Sequence, residues 1–545
     1  MRKIAILIVL AATVYKYFEK QTFDEVLFVK IENGLIKGLK SDDGSYSMFL
    51  GIPYALVNES NPFGDSLPTL PFNEIYEAFD DSTACPQKEE FNNTIVGEMQ
   101  CLRLNIYVPK SLNNNLPVLI YFYGGTFEIG FAGRYLYGPK YLVRHEIILV
   151  TVNYRLGPYG FLCTDSSNAI GNQGLKDQKK AIVWIRENIG VFGGDKDRIT
   201  VSGHSYGASG VDLLLHSLHI NEKLFHKVII QSGTSYFPEI MAKPNNSVPF
   251  ELAKRLGFKT AQLDLAIDFL SKENYKDVIN AAVELDVKFY CCNENYFSGA
   301  QNFLTDYPIN LNTPIVEGMS ILIGNTNNER AHNYYGKKNL NFDIFQDHLQ
   351  IAFNFDDEHL LNTKEIVKKQ YIGNEKNIDM VENNIVQFSS DFYYYHPTKR
   401  NVLKYIDNGA KKVYNYLFSY DGNRNFLKKT FNLNGSGAFH ADEIGYLFDI
   451  SFMDKTLTIE DMLIVDRITT LWANFVKSGN PTPVPTELLP IIWKPISKDS
   501  FYTLNIDTAM ELKSGFFEDR MIFWDTFFEK YKHFVKGFRS KNDSA

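Results

Sequence analysis

The chain has 545 residues, 45% hydrophobic and 22% charged, an ordinary globular composition with enough apolar surface to build a large core. Its net charge is −8, with acidic and basic residues mixed along the sequence. That balance excludes the concentrated Lys/Arg face of a nucleic-acid binder and disfavours an anionic membrane as partner.

Met1-Arg2-Lys3 is a short basic start, followed by the apolar run Ile4 to Val14. The run is too short to span a bilayer and suits a secretory signal, with a buried helix or a signal anchor as the alternatives. We expect a signal peptide over 1–18, cleaved shortly after Ala12, and a single domain with long insertions over 19–545. No later run is long and apolar enough to cross a membrane, and the C-terminus has neither a retention tetrapeptide nor a GPI-type tail. Export without a stable membrane anchor is therefore expected. Five cysteines are present, Cys85, Cys101, Cys163, Cys291 and Cys292, an odd number that forbids complete internal pairing. Cys85 and Cys101 are expected to close a short polar loop. No C-x-x-C or His/Cys cluster has zinc-ligand spacing, so no metal is expected. Sequons at Asn58, Asn92, Asn245, Asn434 and Asn542 are candidate glycan sites for an exported protein.

Strand-like and helix-like segments then alternate, the pattern of an α/β fold whose mostly parallel sheet carries helices on both faces. Val118 to Tyr123 reads as a central strand ending in Gly124-Gly125, and Ile147 to Asn153 as another. Ala181, Ile182, Ile185 and Ile189 form a helical stripe that Gly193-Gly194 stops. Residues 227–233, 320–325 and 413–418 read as further strands. A late amphipathic helix is closed by Gly479, with Pro481 behind it. Between about 250 and 410 polar and aromatic residues obscure the periodicity, consistent with a helical cap over a pocket.

The β-branched run Ile199-Thr200-Val201 leads into Gly203-His204-Ser205-Tyr206-Gly207, after which Val211, Leu214, Leu215 and Leu218 recur at helical spacing. A serine at such a strand-to-helix turn is pushed out with its hydroxyl exposed. The pattern alone also fits an ordinary loop, so its weight rests on partners elsewhere. A serine hydroxyl needs a base, usually a histidine oriented by a carboxylate. His440 lies in "GSGAFHADEIGYLF" (435–448), a small-residue loop before a helix start with two acids. His216, His219 and His226 read as packing or surface groups, and His204 as a side chain pointing away from its neighbour on the turn. Glu329 follows an apolar strand and a polar turn, and the order Ser205, Glu329, His440 is the hydrolase order. It also fits a solvated loop glutamate. Gly125 and Thr126, after the central strand, and Tyr206, behind the serine, would supply backbone N–H groups to a developing oxyanion.

With these pieces together the chain resembles the type-B carboxylesterase/lipase family, which includes cholinesterases and exported insect esterases. The resemblance rests on "FLGIPYA" (49–55), "QCLRLNIYVP" (100–109), "YGGTFEIG" (123–130), "NYRLGPYGFL" (153–162) and the 171–195 stretch. It continues through "GHSYGA" (203–208), "FHKVIIQSG" (225–233), "GNTNNE" (324–329), "GAFHADEIGYLF" (437–448) and "WANFVKSGNPTP" (472–483). It runs from about residue 25 to beyond Trp524. The resemblance implies an α/β-hydrolase fold, no cofactor, and Ser205, Glu329 and His440 as nucleophile, acid and base. It also implies a gorge-like pocket and an exported glycoprotein, and the Cys85–Cys101 pairing matches the family's first disulfide loop. The family's second disulfide is not evident, because Cys291 and Cys292 adjoin: they are free, joined to each other, or paired elsewhere.

Departures fall near the site. His204 stands where the family usually has Glu or Gln, Tyr206 where it has Ala, Thr126 where it has Gly or Ala, and Arg330 where it has Gly. The loop between Cys85 and Cys101 holds no tryptophan, which disfavours a choline ester, and His204 does not match the glutamine typical of juvenile hormone esterases. Small to medium apolar carboxylic esters of odorant, dietary or xenobiotic type remain as expected substrates. The competing readings are a non-catalytic binding relative and a lipase. The sequence sets no oligomeric state.

Overall fold

The computed structural model describes residues 27–89, 93–217, 224–297, 302–335 and 343–539. The expected signal segment 1–18, the sequons at Asn92 and Asn542, and His219 lie outside the described residues.

Eleven strands form one sheet: β1 (Leu39–Lys40), β2 (Tyr46–Pro53), β3 (Arg103–Pro109), β4 (Leu116–Phe122), β5 (Ile148–Val152) and β6 (Gly194–His204), then β7 (Lys227–Gln231), β8 (Ser320–Thr326), β9 (Lys412–Phe418), β10 (Tyr502–Ile506) and β11 (Glu511–Ser514). Their spatial order is β1-β2-β3-β5-β4-β6-β7-β8-β9-β10-β11. From β5 to β10 every neighbouring pair is parallel, and the antiparallel pairs sit at the two margins. Every residue of β4, and every residue from Ile199 to His204 in β6, is buried. Side chains alternate across a strand, so continuous burial means that both faces are covered.

Helices α1 (Gln173–Asn188), α2 (Tyr206–His216), α3 (His396–Asp407) and α4 (Ile459–Ser478) pack on the sheet, and α5 (Glu518–Tyr531) packs on α3. The Ala181/Ile182/Ile185 stripe of α1 is fully buried. A reciprocal capping box starts α4, where the Thr458 hydroxyl accepts from the Asp461 amide and the Asp461 carboxylate accepts from the Thr458 amide. Gly479 ends it at φ 71°, the left-handed turn that a Cβ would strain. Between β7 and β9 the chain forms a series of helices, Ser247–Arg255 through Ile378–Ser390, then a π-helical turn over Asp391–Tyr395 that runs into α3. The expected cap stretch therefore contains two things that are not cap: β8 itself, and α3, which packs on β8 and β9.

Cys85–Cys101 is a disulfide, and Cys163 pairs with Cys292, leaving Cys291 as a buried free thiol. Burial pushes the Cys291 thiol well above 9.0, so it stays protonated and unreactive. Of the sequons, Asn245 and Asn434 are exposed and Asn58 is half-buried. No helix among the described residues is long and apolar enough to cross a membrane.

Beneath the β5–α1 connection lies a buried ion pair. Arg155 Nε and Nη2 donate to Asp177 Oδ2 and Oδ1 at 2.7 and 2.8 Å, and Nη1 donates to the carbonyls of Pro62 and Gly64. The two side chains are 1% and 0% exposed. Asp177→Ala leaves the guanidinium buried without its charge partner and is expected to cost about 3–5 kcal/mol of stability. Urea unfolding of the variant checks it, and a loss below about 1 kcal/mol, the scale of an exposed pair, would contradict the buried pair's role.

Candidate active site

The parallel strands β6, β7, β8 and β9 bring their C-terminal ends to one edge of the sheet, where ligand sites of open α/β sheets lie. Ser205 comes directly off β6. Its backbone is strained, at φ 55° and ψ −129°, and it is held there by its amide donating to the Gln231 carbonyl at 2.8 Å. Such a conformation costs about 1–3 kcal/mol and persists only where surrounding structure enforces it. Gly207 allows the close approach: a Cβ there would lie 2.4 Å from the carbonyl oxygens of Phe122 and Tyr123. The first turn of α2 is thereby seated on the end of β4.

His440 lies in the loop after β9. Its Nε2 is 2.9 Å from Ser205 Oγ, and its Nδ1 is 2.6 Å from Glu329 Oε2. Glu329 is fully buried, and its Oε1 accepts the Thr326 amide at 2.9 Å. The loops carrying Glu329 and His440 are joined directly. The Asn328 amide donates to the Ala438 carbonyl, the Ala438 amide to Asn327 Oδ1, and Asn328 Nδ2 to the Ser436 carbonyl, all within 3.0 Å. Asp442 braces the His440 loop from the other side, accepting the amides of Phe439 and Lys428 and the Asn425 side chain.

Around His440 the site is buried and aromatic. Tyr394, on the π-helical turn, places its ring 5.2 Å from that of His440. Such turns recur at functional sites because they re-aim side chains out of helical register. Arg330 stacks its guanidinium 4.6 Å from the Tyr393 ring centroid and donates to Ser389 and Ser390. His204 is not bonded to the serine beside it. It is buried with its ring 4.7 Å from that of His440. His216 is buried and bonded to the Asp212 carbonyl and Lys404, and His226 is half-buried at the start of β7.

Burial governs the charges. It pushes Glu329 up to about 7, against the Thr326 amide and other neighbouring donors, and takes His440 down to about 3, helped by Arg330. Both shifts express one preference, against charge in a coupled pair. Burial, with the Glu329 carboxylate nearby, also pushes Glu443 up to about 8, so this second buried acid stays protonated at neutral pH.

The turn after β4 faces the serine. Gly125 and Thr126 have φ 110° and 54°, and their N–H groups and that of Tyr206 make no hydrogen bond within the described residues. Thr126 is exposed, whereas Tyr206 is buried edge-on against Phe127 and Phe237 at 5.0 and 5.5 Å. Sequence reading found the strand ends but missed the positioning roles of Asn327, Asn328, Asp442 and Tyr394. The asparagine-rich turn after β8 and the acid two residues past His440 were the available signals. Among the described residues no group of three or more His, Cys, Asp or Glu could hold a metal ion.

The sequence model of the carboxylesterase family matches residues 25–524. Among curated proteins, juvenile hormone esterase of Heliothis virescens is 29% identical over 505 residues, covering 85% of this chain and 87% of that protein. Esterase E4 of Myzus persicae is 29% identical, covering 83% and 85%, and bile salt-activated lipase of Mus musculus 29%, covering 92% and 87%. The crystal structure of juvenile hormone esterase from Manduca sexta, with OTFP covalently attached, superposes with a TM-score of 0.80. At 24% identity, over 93% of this chain and 100% of that one, it establishes the α/β-hydrolase fold.

Gly124 sits against the serine: a Cβ there would lie 2.7 Å from Ser205 Cβ. Gly124→Ala is expected to slow labelling of Ser205 by an organophosphate by about 10²-fold, the usual result of displacing a reacting atom by an ångström. Stopped-flow labelling measures it, and an unchanged rate would refute the contact.

Proposed function

The chain belongs to the carboxylesterase family, and from that footing we propose that Ser205 hydrolyses small to medium apolar carboxylic esters through an acyl-enzyme. It is a carboxylic ester hydrolase of the serine esterase/lipase kind. The assignment of roles rests on one observation, the continuous contact from Glu329 through His440 to Ser205 at 2.6 and 2.9 Å.

Ser205 Oγ attacks the ester carbonyl while its proton passes to His440 Nε2. The carbonyl oxygen becomes an oxyanion and accepts from the amides of Gly125, Thr126 and Tyr206, each worth about 10²–10³ in rate. Collapse of the tetrahedral intermediate breaks the C–O bond, and the alcohol leaves with the proton from Nε2. Water then repeats the sequence and releases the acid. Glu329 keeps Nδ1 protonated and the ring oriented.

The aromatic surroundings support an apolar substrate: Tyr206, Phe237, Tyr393 and Tyr394 form a continuous set of ring contacts beside the base. We place the mature protein outside the cell, as a single domain over 19–545 after removal of residues 1–18. Its two disulfides favour an oxidising compartment, and the exposed sequons at Asn245 and Asn434 would accept glycans there.

Ser205→Ala should abolish both p-nitrophenyl butyrate turnover and organophosphate labelling. Glu329→Gln should lower kcat by about 10⁴ while leaving the fold intact. A wild-type protein inert to both reagents would overturn the proposal, and a panel varying acyl and alcohol length would define the ester.

The pH dependence arises from the pair. Its active form carries one proton, on Nδ1. A second proton stops catalysis wherever it resides, because a carboxylic acid donating to Nδ1 leaves the ring proton on Nε2, and an imidazolium protonates Nε2 directly. Since burial raises Glu329 to about 7, kcat/KM is expected to fall as pH drops through about 7. A pH–rate profile tests this, and full activity retained at pH 5 would sink it.

A further inference from the structure

Beyond the serine site, a cavity of about 830 Å³ lies between α3, α5, the segment after β7 and the stretch 533–539. Its size falls within the roughly 300–1,000 Å³ usual for organic ligands. Ser205, Glu329 and His440 do not line it. Phe237 stands between, touching the cavity on one side and the Tyr206 ring on the other.

Arg400 of α3 lines this cavity and contacts two rings, its guanidinium carbon 4.3 Å from the Tyr236 centroid and 4.8 Å from that of Phe528. Among the described residues its guanidinium makes no hydrogen bond and has no carboxylate within 4.0 Å. Its neighbours on α3 differ in this respect. Lys399 pairs with Asp525, which also takes His396, and Lys404 donates to the Pro308 carbonyl. At the rim Arg539 is paired with Asp306 at 3.4 Å, whereas Lys536 adds a positive charge and Glu239 a negative one.

A half-buried cation without an acceptor has lost hydration that no protein group replaces. The two ring contacts hold the guanidinium at the cavity wall by cation–π attraction and use none of its N–H donors, whose fork suits a carboxylate bidentately. The rest of the wall is polar and apolar in about equal measure, its apolar part carrying Ile240, Ile351, Phe392 and Val535. We propose that this cavity is a second, non-catalytic binding site for a free amphipathic carboxylate, with Arg400 taking the head group and the apolar wall taking the chain.

The test uses full-length Ser205→Ala protein, so its result does not depend on whether the serine turns over esters. Calorimetric titration with decanoate should give at least about tenfold tighter binding than decanol, the usual worth of a charge-assisted bond. Arg400→Gln should remove that difference, while Arg400→Lys restores part of it. Decanol affinity and thermal midpoint in Arg400→Gln report whether the wall is intact. Equal affinities for decanoate and decanol, or decanoate binding indifferent to Arg400→Gln, would overturn the proposal. The decanoate–decanol comparison decides even if that variant fails to fold.

Discussion

The contact between Glu329 and His440 depends on two loops, after β8 and β9, that are hydrogen-bonded to each other before either side chain is considered. Asn327 and Asn328 join the acid's turn to Ala438 and Ser436 in the base's loop. With β8 and β9 paired in parallel register, the turns emerge at the same height, and the 2.6 Å contact is a consequence of that geometry. Ser205 enters from β6, two strands away from β8, on the same edge. The strained serine turn is tolerable because β4, β7 and the helix α2 enclose it.

Desolvation is the second theme of the site. Glu329 is fully buried, His440 is 13% exposed, and of the rings beside it those of His204 and Tyr394 are buried and that of His332 half-buried. Burial disfavours charge on the imidazole, so His440 rests neutral and its positive charge would develop only during the reaction. Arg330 adds to this by lowering His440 further while its own charge is spread over Tyr393.

Three arginines of the interior show how one side chain serves different ends. Arg155 is saturated by Asp177, two main-chain carbonyls and the Gln173 side chain and is architectural. The Arg330 guanidinium is held by the Tyr393 ring and the Ser389 hydroxyl, while its backbone amide donates to Ser390. Arg400 has the ring contacts alone. The guanidinium group stacks and forks independently, so aromatic packing can hold it in place without using its donors.

Local periodicity carried most of the fold. The run expected over Val118 to Tyr123 is the strand Leu116–Phe122, ending where Gly124 must pass the serine, and Gly479 stops α4 as its place in the sequence implies. The order of Ser205, Glu329 and His440 and the polar turns around them could be read from the sequence, because strand ends and loop composition are local properties. The sequence left open which of two adjacent cysteines would pair. Successive side chains on a strand point to opposite faces, so the packing of the Met241–Ala242 and Cys291–Cys292 strands decided that Cys292 meets Cys163. The same holds for His204 beside His440 and for the unpaired Arg400. What the sequence by itself determined was the set of elements and the chemistry available at their ends. Only the tertiary structure decided which groups meet, since contacts between residues 111 and 235 positions apart depend on sheet register and burial rather than on spacing.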